Sequence, residues 1–292
     1  MPDRTHLLVV DAQNDFCDLP GDWLPPDPAA PGSRLAPALP VAGAHADLTR
    51  LAAFVDACAP RLDALTVTLD SHHRYGIERP AFWMRSGGGA VEPFTQVSAA
   101  DVRAGRFAPR DAAAAPRVLA YLDALEAAGR YRLMVWPAHC EIGSWGHGLH
   151  AAIAGAVGRW EAHALRVAGK VWKGANPFTE HYSAIAAEVP DAHDASTQRN
   201  AVLLDELAAA ARIVVAGEAG SHCVRATVMD VADDLAARFG PAGPSRLVLL
   251  ADCMSPVRGF EAEQAAFLAD LQRRGARVAD AATIERELVA AG

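Results

Sequence analysis

The chain has 292 residues, of which 51% are hydrophobic, and its formal net charge at pH 7 is −8. This acidic balance argues against a general nucleic-acid binder, which usually carries a basic patch or stripe. No apolar run approaches the ~18 residues of a membrane span, and "LLVV" near the start is too short for a signal peptide. We therefore expect a globular protein without nucleic-acid or membrane partners.

The cysteines indicate a reducing compartment. Five are spread along the chain, and no CxxC pair suggests a structural zinc site. An odd, sparse set of this kind is typical of reduced thiols. We therefore predict a cytoplasmic protein in which some thiols are available for chemistry.

Short apolar runs alternate with segments of helical spacing along the chain. The predicted strands are 6–10, 64–70, 131–136, 164–169, 212–217, 246–252 and 276–280. The predicted helices are 46–59, 115–129, 148–161, 180–188, 198–211, 222–238 and 260–274, with a short helix closing the chain. This alternation is typical of an α/β fold with an open, parallel, Rossmann-like sheet and helices on both faces.

Two stretches interrupt the alternation. Residues 18–43 carry seven prolines, which predict an irregular surface excursion that could cover a site. Residues 74–115 have mixed composition, with "SGGG" at 86–89. We expect a single domain over 1–292 with insertions at about 18–45 and 74–130.

Titratable side chains recur at the predicted strand ends, which is where open parallel sheets bind ligands. Five of the first six strands are followed by such a group. In chain order the groups are Asp11, Asp70, His139, the pair Lys170 and Lys173, and Cys223. A purely structural sheet does not need this set, so we expect a functional site at this edge.

The two lysines of the chain both stand in "VAGKVWKGAN" (167–176), although 25 arginines are spread elsewhere. A coding bias against lysine, with chance clustering, is one explanation. The other is that lysine persists where arginine cannot serve, because a desolvated ammonium can lose its proton and a guanidinium does not. The residues alone leave both explanations open.

Cys223 lies in a predicted strand–turn–helix unit, "VVAGEAGSHCVRATVMDVADD". Gly217 and Gly220 permit unusual backbone angles, and Ser221 is a candidate N-cap. A thiol in the first helical turn faces the positive end of the helix dipole, and the free amides there could hold an oxyanion. The plainer interpretation is a small buried core cysteine. Three other cysteines lack such a context and are interpreted as packing: Cys17, Cys58 and Cys253.

Asp70, His72 and His139 form a candidate metal site. The i, i+2 spacing of Asp70 and His72 at a strand end points both side chains to one side. Two histidines and a carboxylate are a common ligand set for a catalytic metal with open positions. Alternatively, Asp70 caps a turn and both histidines are exposed.

Five segments taken together resemble the successive signature blocks of the nicotinamidase/isochorismatase-like cysteine hydrolases. They occur in the family's order and cover the chain from 7 to about 253. The segments are "LLVVDAQNDFC", "TLDSHH", "WPAHC", "VWKGANPFTEHYSA" and "VVAGEAGSHCVRATVMDVA".

The resemblance implies a catalytic triad of Asp11, Lys173 and Cys223, with Lys170 as a surface residue. In the implied mechanism, Cys223 attacks an amide carbonyl, ammonia leaves, and water hydrolyses the thioester. Asp11 and Lys173 both remain candidates for the base, because coupled groups titrate as a unit. The N–H groups of Ala219 and Cys223 would form the oxyanion hole, and the Glu218–Ala219 peptide matches the position of a cis bond in the family.

The nicotinamidase branch of the family implies a metal, and zinc or iron suits imidazole and carboxylate ligands. Asp70, His72 and His139 match the ligands of that branch. Phe16 and Trp136 match the aromatic residues that flank the substrate ring, with simple core packing as the alternative. The isochorismatase branch lacks the cysteine and the metal set, so the residues argue against it.

The resulting hypothesis is a metal-assisted cysteine amidohydrolase acting on a small primary amide, with nicotinamide as the leading substrate. The alternatives are another small amide or ureide as substrate and, from a different class, a non-catalytic binding protein. Glu218, "GSHC" and residues 141–150 depart from the family pattern and leave the substrate open. Oligomerisation is common in this fold family, so a homo-oligomer is a further expectation.

Overall fold

Ten strands and eight helices follow one another along the computed structural model, which describes residues 4–290. The strands are β1 Thr5–Val10, β2 Ala64–Asp70, β3 Trp83–Arg85, β4 Thr95–Val97, β5 Phe107–Pro109, β6 Leu133–Val135, β7 Gly169–Lys173, β8 Arg212–Gly217, β9 Leu247–Leu250 and β10 Arg277–Ala279. The helices are α1 Ala44–Cys58, α2 Ala99–Arg103, α3 Ala115–Ala128, α4 Ala151–Ala164, α5 Ala201–Ala208, α6 Arg225–Phe239, α7 Glu261–Arg273 and α8 Ala281–Ala290.

Six of the strands form a parallel sheet in the order β10-β9-β8-β1-β2-β7. The strand order reverses between β1 and β8. At such a switch point the loops leaving the two strands diverge to opposite faces and open a crevice at the carboxyl ends. The predicted open parallel sheet is confirmed, and the fold places a binding crevice beside β1 and β8.

The alternating side chains of β1 show which helices cover each face of the sheet. Leu7 and Val9 pack in the apolar cluster that contains residues of α1, α4 and α8. Leu8 and Val10 pack in the cluster that contains residues of α5, α6 and α7. Because successive side chains of a strand point to opposite faces, a run that is apolar throughout indicates burial on both. The predicted helices on both faces are therefore confirmed.

The stretch between β2 and α4 has its own organisation. Strands β3 and β5 pair antiparallel, β4 and β6 pair antiparallel, and α2 and α3 lie beside them. A separate apolar cluster holds this part together, including Phe82, Trp83, Val118 and Leu122. The insertion predicted at about 74–130 is therefore mostly ordered structure with its own small core.

Three elements predicted from periodicity differ from the structure: one strand forms but pairs outside the main sheet, one strand is shifted along the chain, and one helix is a loop. The strand expected at 131–136 is β6, which belongs to the small antiparallel pair and not to the main sheet. The strand expected at 164–169 is β7, which begins at Gly169 because α4 runs through Ala164. The helix expected at 180–188 is a buried loop whose backbone bonds to neighbouring groups, as in the Ala184 N–H bond to Thr227 Oγ1 at 3.0 Å.

The proline-rich segment is irregular, as predicted, apart from a short 3-10 turn at Gly21–Trp23. It returns to the body of the protein where Val41 forms a bridge with Cys17 and Leu39 becomes buried. Between residues 4 and 290, no helix combines the length and apolar character needed to cross a bilayer.

Candidate active site

The carboxyl ends of four neighbouring strands deliver the predicted catalytic side chains to one place. Asp11 directly follows β1, and Cys223 follows β8 after a short turn. Asp70 and Lys173 end β2 and β7 and are register partners in the sheet. The chain separates these groups by up to 212 positions, and the sheet brings them together at the switch point.

Lys173 is the centre of the cluster. Its Nζ lies 2.9 Å from Asp11 Oδ2 and 2.8 Å from Asp70 Oδ1, and it donates to the His181 carbonyl at 3.0 Å. The same nitrogen lies 3.5 Å from Cys223 Sγ. Since the lysine side chain is only 1% exposed, these four groups replace its entire water shell.

Cys223 lies in a π-helical turn, Gly220–Val224, that leads directly into α6. Three N–H groups of this turn already have partners: Gly220 donates to the Ser255 carbonyl at 2.8 Å, and His222 and Val224 donate to the Ala219 carbonyl at 3.0 and 3.2 Å. Ala219 stands at the N-cap of this turn, after a cis Glu218–Ala219 peptide bond at the position expected from the resemblance. The N–H groups of Ala219 and Cys223, which the resemblance implies as oxyanion donors, therefore lie at the start of a helical segment, where a negative oxygen is favoured.

The charges in the triad follow from burial and proximity. Burial opposes the charge on Lys173, but the carboxylates of Asp11 and Asp70 outweigh it and hold the lysine pKa well above its usual range. Burial raises the pKa of Asp11, against the opposing effect of Lys173. Burial also raises the pKa of the Cys223 thiol, with Lys173 opposing the shift.

Asp70, His72 and His139 converge as predicted. Asp70 Oδ2 lies 2.7 Å from His72 Nε2 and 3.3 Å from His139 Nε2. One donor atom from each residue lies within 4.8 Å of the others, and all three residues are buried. The predicted alternative of exposed histidines is therefore wrong.

In both imidazole rings, Nε2 faces Asp70 and the other ring nitrogen, Nδ1, faces a different group. His139 Nδ1 lies 2.8 Å from the Pro137 carbonyl, and His72 Nδ1 lies 3.2 Å from Glu78 Oε1. For His139, the Pro137 carbonyl favours the tautomer that leaves Nε2 free for a metal, whereas Arg79 Nη1, a donor 2.7 Å from the same Nδ1, favours the opposite tautomer. Burial lowers the pKa of His139 to about 4, so this ring is neutral and able to ligate. The site is therefore compatible with a divalent metal.

The surroundings of His72 show that this point attracts positive charge. Burial and Arg79 act to lower the pKa of His72, yet Asp70 and Glu78 outweigh them and raise it to about 9. A ring held protonated between two carboxylates marks a position where a metal ion could replace the proton.

A narrow pocket of about 30 Å³ opens onto Cys223, Asp70 and His139. Phe16 and Trp136 line it, as predicted for the aromatic residues that flank a substrate ring. The Phe16 ring lies 5.2 Å from the His139 ring, and Trp136 Nε1 donates to Tyr182 at 2.9 Å.

The site also contains residues to which the sequence analysis gave no role. Besides the predicted Ala219, the pocket is lined by Leu39, Glu180, Tyr182, His222 and Val257. Glu180 has one carboxylate oxygen, Oε2, that is buried without a hydrogen-bond partner. Glu78 and Arg79 lie behind the metal set, and only the folded chain brings them there. Glu180, Tyr182 and His222 fall inside segments that carry the family resemblance, whereas Leu39 and Val257 lie outside them.

Solved structures of the nicotinamidase/pyrazinamidase type share this fold. A nicotinamidase pyrazinamidase of Acinetobacter baumanii is 16% identical with a TM-score of 0.59, over 97% of this chain and 99% of that one. The yeast nicotinamidase bound to the inhibitor nicotinaldehyde is 19% identical with a TM-score of 0.60, over 94% and 99%. A zinc complex of the Pyrococcus horikoshii pyrazinamidase is 17% identical with a TM-score of 0.50, over 96% and 99%.

No family model and no curated protein matches the chain by sequence. At identities below 25%, the structural similarity establishes the fold. The fold of the chain is that of the nicotinamidase/isochorismatase-like hydrolases, and the resemblance found in the sequence blocks is confirmed at that level.

Proposed function

We propose that this protein is a metal-assisted cysteine amidohydrolase that releases ammonia from a small primary amide, with nicotinamide as the expected substrate. The observation that carries the proposal is the single cluster in which Cys223 Sγ, Lys173 Nζ and Asp11 Oδ2 follow one another at 3.5 and 2.9 Å. The fold shared with nicotinamidases and the pocket in front of the thiol support the same conclusion.

Asp11 is the proposed base. Cys223 keeps its proton in the resting state because burial raises the thiol pKa, so attack requires an acceptor. Lys173 is held as an ammonium by two carboxylates and cannot accept. Asp11 Oδ2 pairs with that ammonium at 2.9 Å, which opposes the rise in the Asp11 pKa that burial causes, and the Asp11 carboxyl is within hydrogen-bonding reach of the thiol. Lys173 therefore acts as the fixed charge that favours the carboxylate form of Asp11 and supports the thiolate as it forms.

The first half-reaction makes the acyl-enzyme. The sulfur bonds to the amide carbonyl carbon while the thiol proton moves to Asp11, and the carbonyl oxygen becomes an oxyanion. The N–H groups of Ala219 and Cys223 hold that oxyanion. When the intermediate collapses, the C–N bond breaks, Asp11 gives its proton to the nitrogen, and ammonia leaves a thioester on Cys223.

The second half-reaction restores the thiol. Asp11 takes a proton from a water molecule as that water attacks the thioester carbon. The C–S bond then breaks, and Asp11 returns the proton to sulfur, which leaves a carboxylic acid product. A divalent metal held by Asp70, His72 and His139, with zinc or iron as the expected ion, would supply a Lewis acid that binds and orients a ring nitrogen.

The test is ammonia release from nicotinamide by the purified, metal-loaded protein. Cys223→Ala should abolish release, whereas Cys58→Ala, a matched loss of a buried thiol on α1, should retain it. Release that survives in Cys223→Ala would refute the nucleophile. Absence of release in folded, metal-containing wild-type protein would refute nicotinamide as the substrate.

The size of the pocket favours a second substrate class for the same chemistry. Its cavity volume of about 30 Å³ is small, so a pyridine ring requires more movement of the lining side chains than a short aliphatic amide or a ureide does. The same ammonia assay, run with these compounds beside nicotinamide, ranks the candidates by kcat/KM.

A non-catalytic binding protein is the remaining alternative. If Cys223 only packs in the core, it should react with an alkylating agent no faster than Cys58, which is also buried. Selective labelling of Cys223 in the folded protein supports catalysis.

A further inference from the structure

Glu218 places a carboxyl group behind the turn that carries the proposed oxyanion hole. It follows β8 directly, precedes Ala219, and is fully buried. Glu218 is one of the residues that depart from the family pattern. Burial of a carboxyl group is costly unless the group is paired, so its partners should reveal why it is there.

The partners of Glu218 lie on two other segments. Glu218 Oε2 accepts the Ser255 N–H at 3.2 Å, and Asp47 on α1 is within hydrogen-bonding reach of the Glu218 carboxyl. Ser255 Oγ also donates to Asp47 Oδ2 at 2.6 Å. The Ser255 carbonyl accepts the Gly220 N–H at 2.8 Å. Glu218 and Gly220, the neighbours of Ala219 on each side, are therefore both bonded to Ser255.

The charges around Glu218 favour its neutral form. Burial raises the pKa of Glu218 well above its usual range, and the nearby Asp47 and Asp18 act in the same direction. Arg50 pairs with Asp47 at 3.2 Å and with Asp252 at 3.5 Å, and the buried Cys17 thiol also lies near Glu218. Two carboxyl groups in one buried site share a proton. Glu218 Oε1 accepts no hydrogen bond and is free to carry that proton.

We propose that Glu218 is a positioning residue: its carboxyl group, which accepts the Ser255 N–H beside Asp47, fixes the Ala219 turn against the Ser255 segment and so aims the oxyanion hole. This inference rests on the proposed hydrolase function. Loss of the proton would leave Glu218 and Asp47 as two buried carboxylates in repulsion. The turn would then loosen without any change to the triad or the metal ligands.

Two substitutions separate positioning from packing. Glu218→Gln keeps the shape, an N–H donor toward Asp47 and an acceptor for Ser255, so we expect kcat to stay within about threefold of wild type. Glu218→Leu fills the space without hydrogen bonds. Loss of one oxyanion donor costs about 10²–10³ in kcat, and a loosened donor should cost less, so we expect about a tenfold to hundredfold fall in kcat with KM little changed.

The result that overturns the proposal is a Glu218→Leu protein that melts at a lower temperature but keeps the wild-type kcat. Equal losses in the Gln and Leu variants would also overturn it, because the conservative variant would then give no rescue.

Hydrogen–deuterium exchange keeps the test independent of activity. Amides of residues 219–224 should exchange faster in Glu218→Leu than in wild type or Glu218→Gln. If wild type releases no ammonia from any amide, the hydrolase proposal fails, while the exchange data still decide whether Glu218 holds the turn. If Glu218→Leu does not fold, wild type and Glu218→Gln are compared from neutral to alkaline pH. Only wild type should gain exchange in this segment, after correction for the intrinsic rate, and identical profiles would refute the proposal.

Discussion

The substitution Lys173→Arg tests whether the chemistry needs a lysine or only a positive charge. Lys173 Nζ is surrounded by Asp11 at 2.9 Å, Asp70 at 2.8 Å, a carbonyl at 3.0 Å and Cys223 at 3.5 Å. A guanidinium must place three nitrogens in the space of one. Overpacking of a buried site lowers the free energy of unfolding by about 1–3 kcal/mol. In a large domain, each kcal/mol lowers the melting temperature by roughly 2–4 °C.

The effect on activity should exceed the effect on stability. A guanidinium in this space pushes the thiol away from Asp11, and a misplacement on the order of 1 Å costs about 10²-fold in rate. We therefore expect at least a hundredfold fall in kcat for ammonia release, in a protein that still folds and holds its metal.

Lys170→Arg is the matched control. Lys170 lies three residues earlier in β7, is 44% exposed, and faces Glu161 at 3.6 Å. An exposed substitution of this kind changes stability by less than about 0.5 kcal/mol, and kcat should be unchanged. If Lys173→Arg and Lys170→Arg have the same kcat within a few fold, the position does not require an ammonium and the proposed role of Lys173 is wrong.

Three further predictions concern the metal, the pocket and the acid stability. His139→Ala should lose the stoichiometric metal measured by elemental analysis, whereas the exposed control His163→Ala should keep it; equal metal contents would refute the ligand assignment. Phe16→Ala should raise KM more than it lowers kcat, because Phe16 lines the pocket and is not a member of the proposed triad; an unchanged KM would indicate simple core packing. Burial lowers the pKa of His6 in the folded protein to about 4. As the pH falls, His6 of the unfolded chain is therefore protonated first, and the free energy of unfolding of wild type should fall by up to about 3 kcal/mol between pH 6.5 and 4. In urea titrations across that range, the free energy of unfolding of His6→Gln should fall by less. Equal falls in wild type and His6→Gln would contradict the lowered pKa of His6.

The strand ends could be predicted from the sequence because local pattern and chemistry agree there. The run before Asp11 is apolar, the run that ends in Asp70 alternates leucine and valine with two threonines, and both are strands with the expected bounds to within one residue. Lys173 and Cys223 stood out because their residue types are unusual in their context. The residues alone left their roles open, and the assignment of the triad came from the family resemblance.

The other parts of the fold and of the site depended on long-range contacts, which hydrophobic periodicity does not encode. The run at 131–136 is apolar enough for the main sheet, but its partner is β4, which lies more than 30 positions earlier. His139 therefore reaches the site from a loop and not from a sheet strand. The segment 180–188 has helical spacing, yet its backbone polar groups bond to other parts of the protein. Lys173 Nζ donates to the His181 carbonyl, and the Ala184 N–H donates to Thr227. Tertiary hydrogen bonds override local propensity there.

The position of Lys173 at the end of β7 has a mechanical consequence, because β7 is one edge of the main sheet. Edge strands open more readily than central strands, since fewer contacts hold them. Opening β7 would pull the ammonium away from Asp11 and Asp70 and leave two buried carboxylates without a counter-charge, which costs several kcal/mol. At the opposite edge, β10 is linked to α8 by an exposed ion pair between Arg277 and Glu287. The Lys173 ammonium, which we propose is catalytic, thus also stabilises the edge of the sheet, and we expect a substitution that removes it to weaken both the fold and the chemistry.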